Sequence, residues 1–113
     1  MSESNDHNHI PLTEAVYYIL LAFHTPMHGY GIMQFVKEIS DGRVHLGPGT
    51  LYGAIKTMLE KGWIQSLEDN SNGRKKEYEL TQLGKEVVHA EISRLQELVI
   101  NGNQIMRGEK SDS

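Results

Sequence analysis

Cysteine is absent from the 113-residue chain. Without a thiol there is no disulfide framework, no thiolate metal site and no cysteine nucleophile. That absence suits a reducing compartment. Proline is scarce, at three residues, and each falls where a helix would start or break: Pro11, Pro26 and Pro48. The longest apolar stretch, around Val16 to Phe23, is far shorter than the roughly 20 residues a membrane helix needs. The opening MSESNDHNH is polar and acidic, which is the wrong pattern for a secretory signal. The expectation is a cytoplasmic protein that does not enter a membrane.

Enzymatic signatures are missing as well. There is no HExxH, and no pair of carboxylates stands in a recognisable catalytic setting. Gly47, Gly49 and Gly53 do not make a phosphate loop, because the preceding strand and the GK[ST] element are lacking. His24 and His28 are four apart, but Pro26 between them denies them a shared helical face. His45 and His89 have no partner in the sequence, and His7 with His9 reads as part of a solvated tail. No enzyme activity, cofactor or metal is expected.

Hydrophobic residues make up 38% of the chain, enough for one small globular domain. The net charge of −4 argues at first against a nucleic-acid partner. Its distribution argues the other way. Residues 43–85 hold seven bases (Arg43, Lys56, Lys61, Arg74, Lys75, Lys76, Lys85) and five acids, a local charge of +2. The rest holds four bases and ten acids. Screening removes the influence of charges beyond about 8–10 Å, so the local surface decides.

Periodicity lays out the elements. Residues 1–9 read as a disordered arm. A first helix is predicted from Leu12 or Thr13 to His24, with Glu14 in its first turn. Leu12, Val16, Ile19, Leu20 and Phe23 form one stripe, and Ala15, Tyr17, Tyr18, Leu21 and Ala22 leave little polar face. A helix apolar nearly all round needs neighbours on more than one side. In so small a chain a second copy is the expected supplier. A second helix spans about Tyr30 to Ile39, with Ile32, Met33, Val36 and Ile39 inward. Pro48 opens a third, with Leu51, Ile55, Met58 and Leu59 facing the core, and Gly62 ends it near Lys61.

Two short strands, Trp63–Glu68 and Lys75 or Lys76–Leu80, flank the turn cluster 69–74 as a hairpin. Trp63 reads as a core residue at its base. Thr81 caps a last helix predicted to run to about Ile100, with Val88, Ile92, Leu95 and Val99 on a seam of only about two heptads. That is too short to stand as a free coiled coil. Asn101–Gly102–Asn103 weakens the helix, and a polar tail follows. The divisions are 1–9 arm, 10–80 DNA-binding domain, 81–101 dimerisation helix and 102–113 tail.

Three helices, a hairpin and a final helix make a mostly α fold with a small β-hairpin, a winged helix-turn-helix plus one C-terminal helix. The third helix is then the recognition helix. Opposite its core stripe it presents Thr50, Gly53, Lys56, Thr57 and Glu60, with Tyr52 on the flank. Hydroxyls and an ammonium there can meet phosphate oxygens, and a glycine inside a helix leaves a bare spot for a close approach. The cations Arg74, Lys75 and Lys76 at the hairpin tip can reach a minor groove.

Three stretches carry a family resemblance: LTEAVYYILLAFHTPMHGYGIMQFV (12–36), LGPGTLYGAIKTMLEKGWI (46–64) and GRKKEYELTQLGK (73–85). They resemble the PadR family of transcriptional regulators, in its short form with a single C-terminal helix, over roughly residues 10–100. The resemblance implies a winged-helix homodimer that represses transcription from palindromic operator DNA. It places Tyr30, Pro48, Thr50, Tyr52 and Lys56 at the DNA and Arg74, Lys75 and Lys76 in the wing. Gly29, Gly49 and Gly62 would be structural. The first and last helices would form the dimer interface, which selects Val16, Tyr17, Leu21, Val88, Ile92, Leu95 and Val99. It further implies an aromatic or drug-like effector in some members, with Tyr17, Tyr18 and the Leu95–Val99 region as neighbours here. The alternative reading is a winged helix that binds protein and not DNA.

Overall fold

The computed structural model describes residues 11–67 and 76–108. Seven elements follow in order: α1 (Glu14–Ala22), β1 (Met27–His28), α2 (Gly29–Ile39), α3 (Pro48–Lys61), β2 (Ile64–Leu67), β3 (Glu77–Leu80) and α4 (Gln82–Arg107).

Each helix starts on a local device legible in its residues. Thr13 Oγ1 accepts the Val16 N–H at 3.1 Å and caps α1. His28 Nδ1 accepts the Gly31 N–H at 3.3 Å and caps α2. Gly47 precedes Pro48 at the start of α3, where proline's missing N–H leaves nothing unsatisfied. Thr81 Oγ1 accepts the Gly84 N–H at 3.0 Å to cap α4 and donates to the Gly62 carbonyl at 2.6 Å. Gly62 and Gly108 end α3 and α4 in the left-handed region, at φ 79° and 75°.

The sheet has one strand more than the hairpin reading contained. β1 pairs antiparallel with β3 (Met27↔Tyr78, His28↔Glu77), and β3 pairs antiparallel with β2 (Gln65↔Glu79), giving the order β1-β3-β2. The Leu80 N–H donates to the Phe23 carbonyl at 3.0 Å, which ties this sheet to the end of α1. On its inner face Tyr78 and Leu80 are buried, and Tyr78 meets Phe23 edge-on at 5.9 Å between centroids. Ile19, Leu20, Phe23, Ile32, Val36, Leu51, Ile55 and Met58 fill the centre, and Trp63 closes it as expected.

Three expectations need correction. Ile39 is not inward but 47% exposed. The inward position passes to Ser40, which is buried and accepts the Val44 N–H on Oγ at 2.9 Å to shape the turn after α2. Leu59 lies off the core stripe and is exposed. And α4 does not weaken at Asn101–Gly102–Asn103: it continues to Arg107. The cost of one mid-helix glycine, about 1 kcal/mol, does not stop a long helix.

Two ion pairs fix the outer parts. Arg43, after α2, pairs with Glu14 at the start of α1. Glu91 in α4 is buried and accepts hydrogen bonds from Arg94 Nε (2.9 Å) and Nη2 (2.7 Å) and from the Leu12 N–H (3.2 Å). The Arg94 guanidinium, aided by that backbone N–H against the opposing effect of burial, holds the Glu91 carboxyl below its ordinary value of 4.5. A carboxyl depressed in the folded state binds its proton more readily when unfolded. Its contribution to stability is therefore complete above pH 4.5 and lost as the pH falls below it. Glu91→Gln is expected to be less stable than the parent at pH 7, with the gap narrowing on acidification below pH 4.5. Chemical unfolding across pH 3–7 measures this, and a gap constant with pH contradicts it.

Candidate nucleic-acid interface

The outer face of α3 is built by what its inner face buries. With Leu51, Ile55 and Met58 packed inward, the helix turns Pro48, Thr50, Tyr52 and Lys56 to solvent. Tyr30, near the start of α2, is 62% exposed, and its hydroxyl oxygen accepts from Gln34 Nε2 at 3.1 Å. The two tyrosines are brought to one edge by a close contact at Gly29. A Cβ built on Gly29 would lie 2.3 Å from the Tyr52 hydroxyl oxygen and 2.8 Å from Cζ. Only a residue without a side chain lets the Tyr52 ring rest on the start of α2. Gly29 is thus structural in the sense the resemblance implied.

Gly49 and Gly53 are different. A Cβ on either would meet nothing within 4 Å, and neither has a positive φ. No contact inside the described residues requires glycine at these two exposed positions. Lys76 is exposed at the start of the returning strand, while Arg74 and Lys75 lie outside the described residues. Across the strands below, Gln65 Nε2 donates to Glu79 Oε2 at 3.0 Å.

The residues expected at a dimer interface separate into two groups. Val88 belongs to the chain's own core, 7% exposed, so its surface is already covered within the chain. Val16 and Leu21 are half-buried against the same core. Ile92 also packs against that core, and with Tyr17, Leu95, Gln96, Val99 and Ile100 it lines one open cavity of about 610 Å³. Beyond it α4 carries more apolar surface than the sequence reading contained. Leu98, Ile105 and Met106 are all exposed, the last two by 77% and 85%. Ile105 and Met106 stand one heptad beyond Leu98 and Val99, a repeat that was legible but lay past the expected helix end. Tyr17 and Tyr18 also flank a second cavity of about 330 Å³, with Arg94 and Leu95 on its wall. Among the described residues no helix is long and apolar enough to cross a membrane.

A helical core whose third helix shows a polar outer side, joined to a small antiparallel sheet and one long final helix, is a winged-helix fold with an added C-terminal helix. Solved structures of the same build include a PadR family transcription regulator from Clostridium difficile. It has a TM-score of 0.64 at 24% identity, covering 80% of this chain and 97% of that one. A PadR family transcriptional regulator from Eggerthella lenta has a TM-score of 0.66 at 19% identity, covering 92% and 87%. These likenesses show the fold. The sequence model of the transcriptional regulator PadR-like family matches residues 18–90, and the chain belongs to that family. Among curated proteins, an uncharacterized 37.1 kDa protein of a Streptomyces fradiae transposon is 38% identical over 66 residues. That match takes in 58% of this chain but only 18% of the relative's length.

Proposed function

We propose that this regulator is a homodimeric repressor that binds palindromic operator DNA through the outer face of α3 and the wing. The observation that carries the reading is the exposed row Pro48, Thr50, Tyr52 and Lys56, set beside two glycines that no contact within the described residues requires. Glycine at such positions lets a sugar–phosphate backbone come close, while the hydroxyls and the ammonium meet phosphate oxygens. Tyr30 and Lys76 extend the same contact, and the charges of Arg74 and Lys75, which lie outside the described residues, would add to it.

The dimer is supported by the apolar surface of α4 and Tyr17, which one chain leaves uncovered. An aromatic or drug-like effector would enter at the cavities beside Tyr17, Tyr18 and Leu95, where α1 and α4 meet, and release the DNA from there.

Selection from a random duplex library tests the reading. The expected product is an inverted repeat with half-sites about one helical turn, roughly 10 bp, apart. A library that shows no enrichment over repeated rounds favours the protein-binding alternative. Sedimentation is expected to give twice the 12.8 kDa chain mass. For the contact itself, Lys56→Ala is expected to weaken binding to every sequence and to lower the salt slope, log K against log[salt], by about one. An unchanged slope removes Lys56 from the phosphate contacts.

A further inference from the structure

The first half of α4 is attached to the rest of the chain by the packing of Val87, Val88 and Ile92 on the core and by two polar contact points. The first is at its start, where Thr81 is bonded to Gly62 and Trp63 and Gly84 is buried against the Trp63 carbonyl. The second is Glu91. Its carboxylate is held by the Arg94 fork on one side and accepts the backbone N–H of Leu12 on the other, across 79 residues of sequence. Leu12 immediately precedes Thr13, the cap of α1, so the bond locks α4 to the first turn of the winged-helix body. From Gln96 to Asn103 every residue of α4 is exposed. The stretch from Glu91 to Arg107 projects about 24 Å at 1.5 Å per residue.

We propose that Glu91 is a positioning residue that sets the angle between α4 and the DNA-binding body, and through it the separation of the two recognition helices. The inference rests on the paired assembly proposed above. If α4 carries the pairing surface, its angle to the body is the angle at which each body is held out from the dimer axis. A tilt of about 5° at Glu91 displaces the far end of a 24 Å lever by about 2 Å. A purely apolar contact can slide by such amounts. Two of the three hydrogen bonds on the Glu91 carboxylate move with α4, but the third comes from the Leu12 N–H, and a shift of α4 against the body leaves that buried donor without its acceptor. Arg94 is the partner that makes the lock affordable, since it neutralises Glu91 from the same helix while remaining partly exposed. In Glu91→Met a side chain of similar length has no oxygen to accept from Leu12 or from the Arg94 fork, so the bond between α4 and the body is lost.

The absence of cysteine allows a direct test. Glu60→Cys, exposed on α3, carries one spin label per protomer, and dipolar electron resonance reads the distance between the two recognition helices without DNA. The parent is expected to give one narrow distribution. Glu91→Met, which removes the acceptor of the Leu12 N–H, is expected to broaden it about twofold, as a lever freed at its fulcrum would. Val36→Ala, which destabilises the core without touching the lock, is the control and is expected to keep the parental width. A parental distance with unchanged width in Glu91→Met overturns the inference while leaving the dimer standing. Equal broadening in Val36→Ala overturns it too, because loss of stability alone would then account for the effect. A parent with no dipolar signal overturns the paired assembly and the inference together.

Discussion

Gly84→Ala is expected to lower the thermal midpoint by about 10–20 °C, which corresponds to roughly 2–3 kcal/mol in a domain of this size. Helix propensity alone gives the opposite sign, since alanine inside a helix is better than glycine by about 1 kcal/mol. The surroundings decide. A Cβ on Gly84 would lie 2.0 Å from the Trp63 carbonyl oxygen, 3.0 Å from its carbon and 3.0 Å from Leu80 Cδ2. The carbonyl is fixed on both sides, because it accepts the Thr81 N–H at 2.9 Å and the Thr81 hydroxyl at 3.1 Å. It cannot yield as a flexible side chain would, so α4 must lift at its first turn and take the cap with it. Gly102→Ala supplies the internal comparison. It sits in the same helix with nothing within 4 Å of its Cβ, and there the propensity gain of about 1 kcal/mol stands unopposed. Circular dichroism melts of the two variants should move in opposite directions. Two variants that both stabilise would show that the first turn of α4 is not packed as described.

The contrast between these two glycines shows what one sequence yields and what it withholds. Helix starts at Thr13, Pro48 and Thr81, and the stop at Gly62, were legible because capping chemistry is local. The core stripe of α3 was legible at Leu51, Ile55 and Met58 because the repeat is regular. β1 was not, since two residues carry no alternation and the strand exists only through its register with Tyr78 and Glu77. The true end of α4 was obscured by Asn101–Gly102–Asn103, whose local preference is overridden by the helix on either side. At the candidate interface, the exposed row on α3 followed from the buried one. What periodicity could not show is which glycines face a neighbour. Gly29 and Gly49 look alike in the sequence, yet one is pressed by Tyr52 and the other has open space. Nor does Glu91 reveal that its partner is a backbone N–H at Leu12, far away in the chain. Long-range pairing of this kind depends on how the helices pack, which local pattern does not encode.

Gly29→Ala is expected to leave the fold nearly as stable as before and to weaken operator binding by about tenfold or more, near 1.4 kcal/mol. The added methyl would collide with the far end of the Tyr52 side chain, not with backbone. Tyr52 is 51% exposed, so its ring can swing outward at little energetic cost to the core. What is lost is its placement. The ring then no longer rests on the start of α2 beside Tyr30, and a contact to DNA needs its hydroxyl held in one position before binding. Tyr52→Ala should lose a comparable amount by removing the group itself. The decisive measurement is the double variant. If Gly29 acts by seating Tyr52, the two losses overlap and Gly29→Ala, Tyr52→Ala together binds about as weakly as Tyr52→Ala alone. Full additivity would mean that the two positions act separately, and an unchanged affinity in Tyr52→Ala would take the ring out of the interface. A large fall in melting temperature for Gly29→Ala would instead show that the ring is locked in place and that the methyl distorts the junction of α2 and α3.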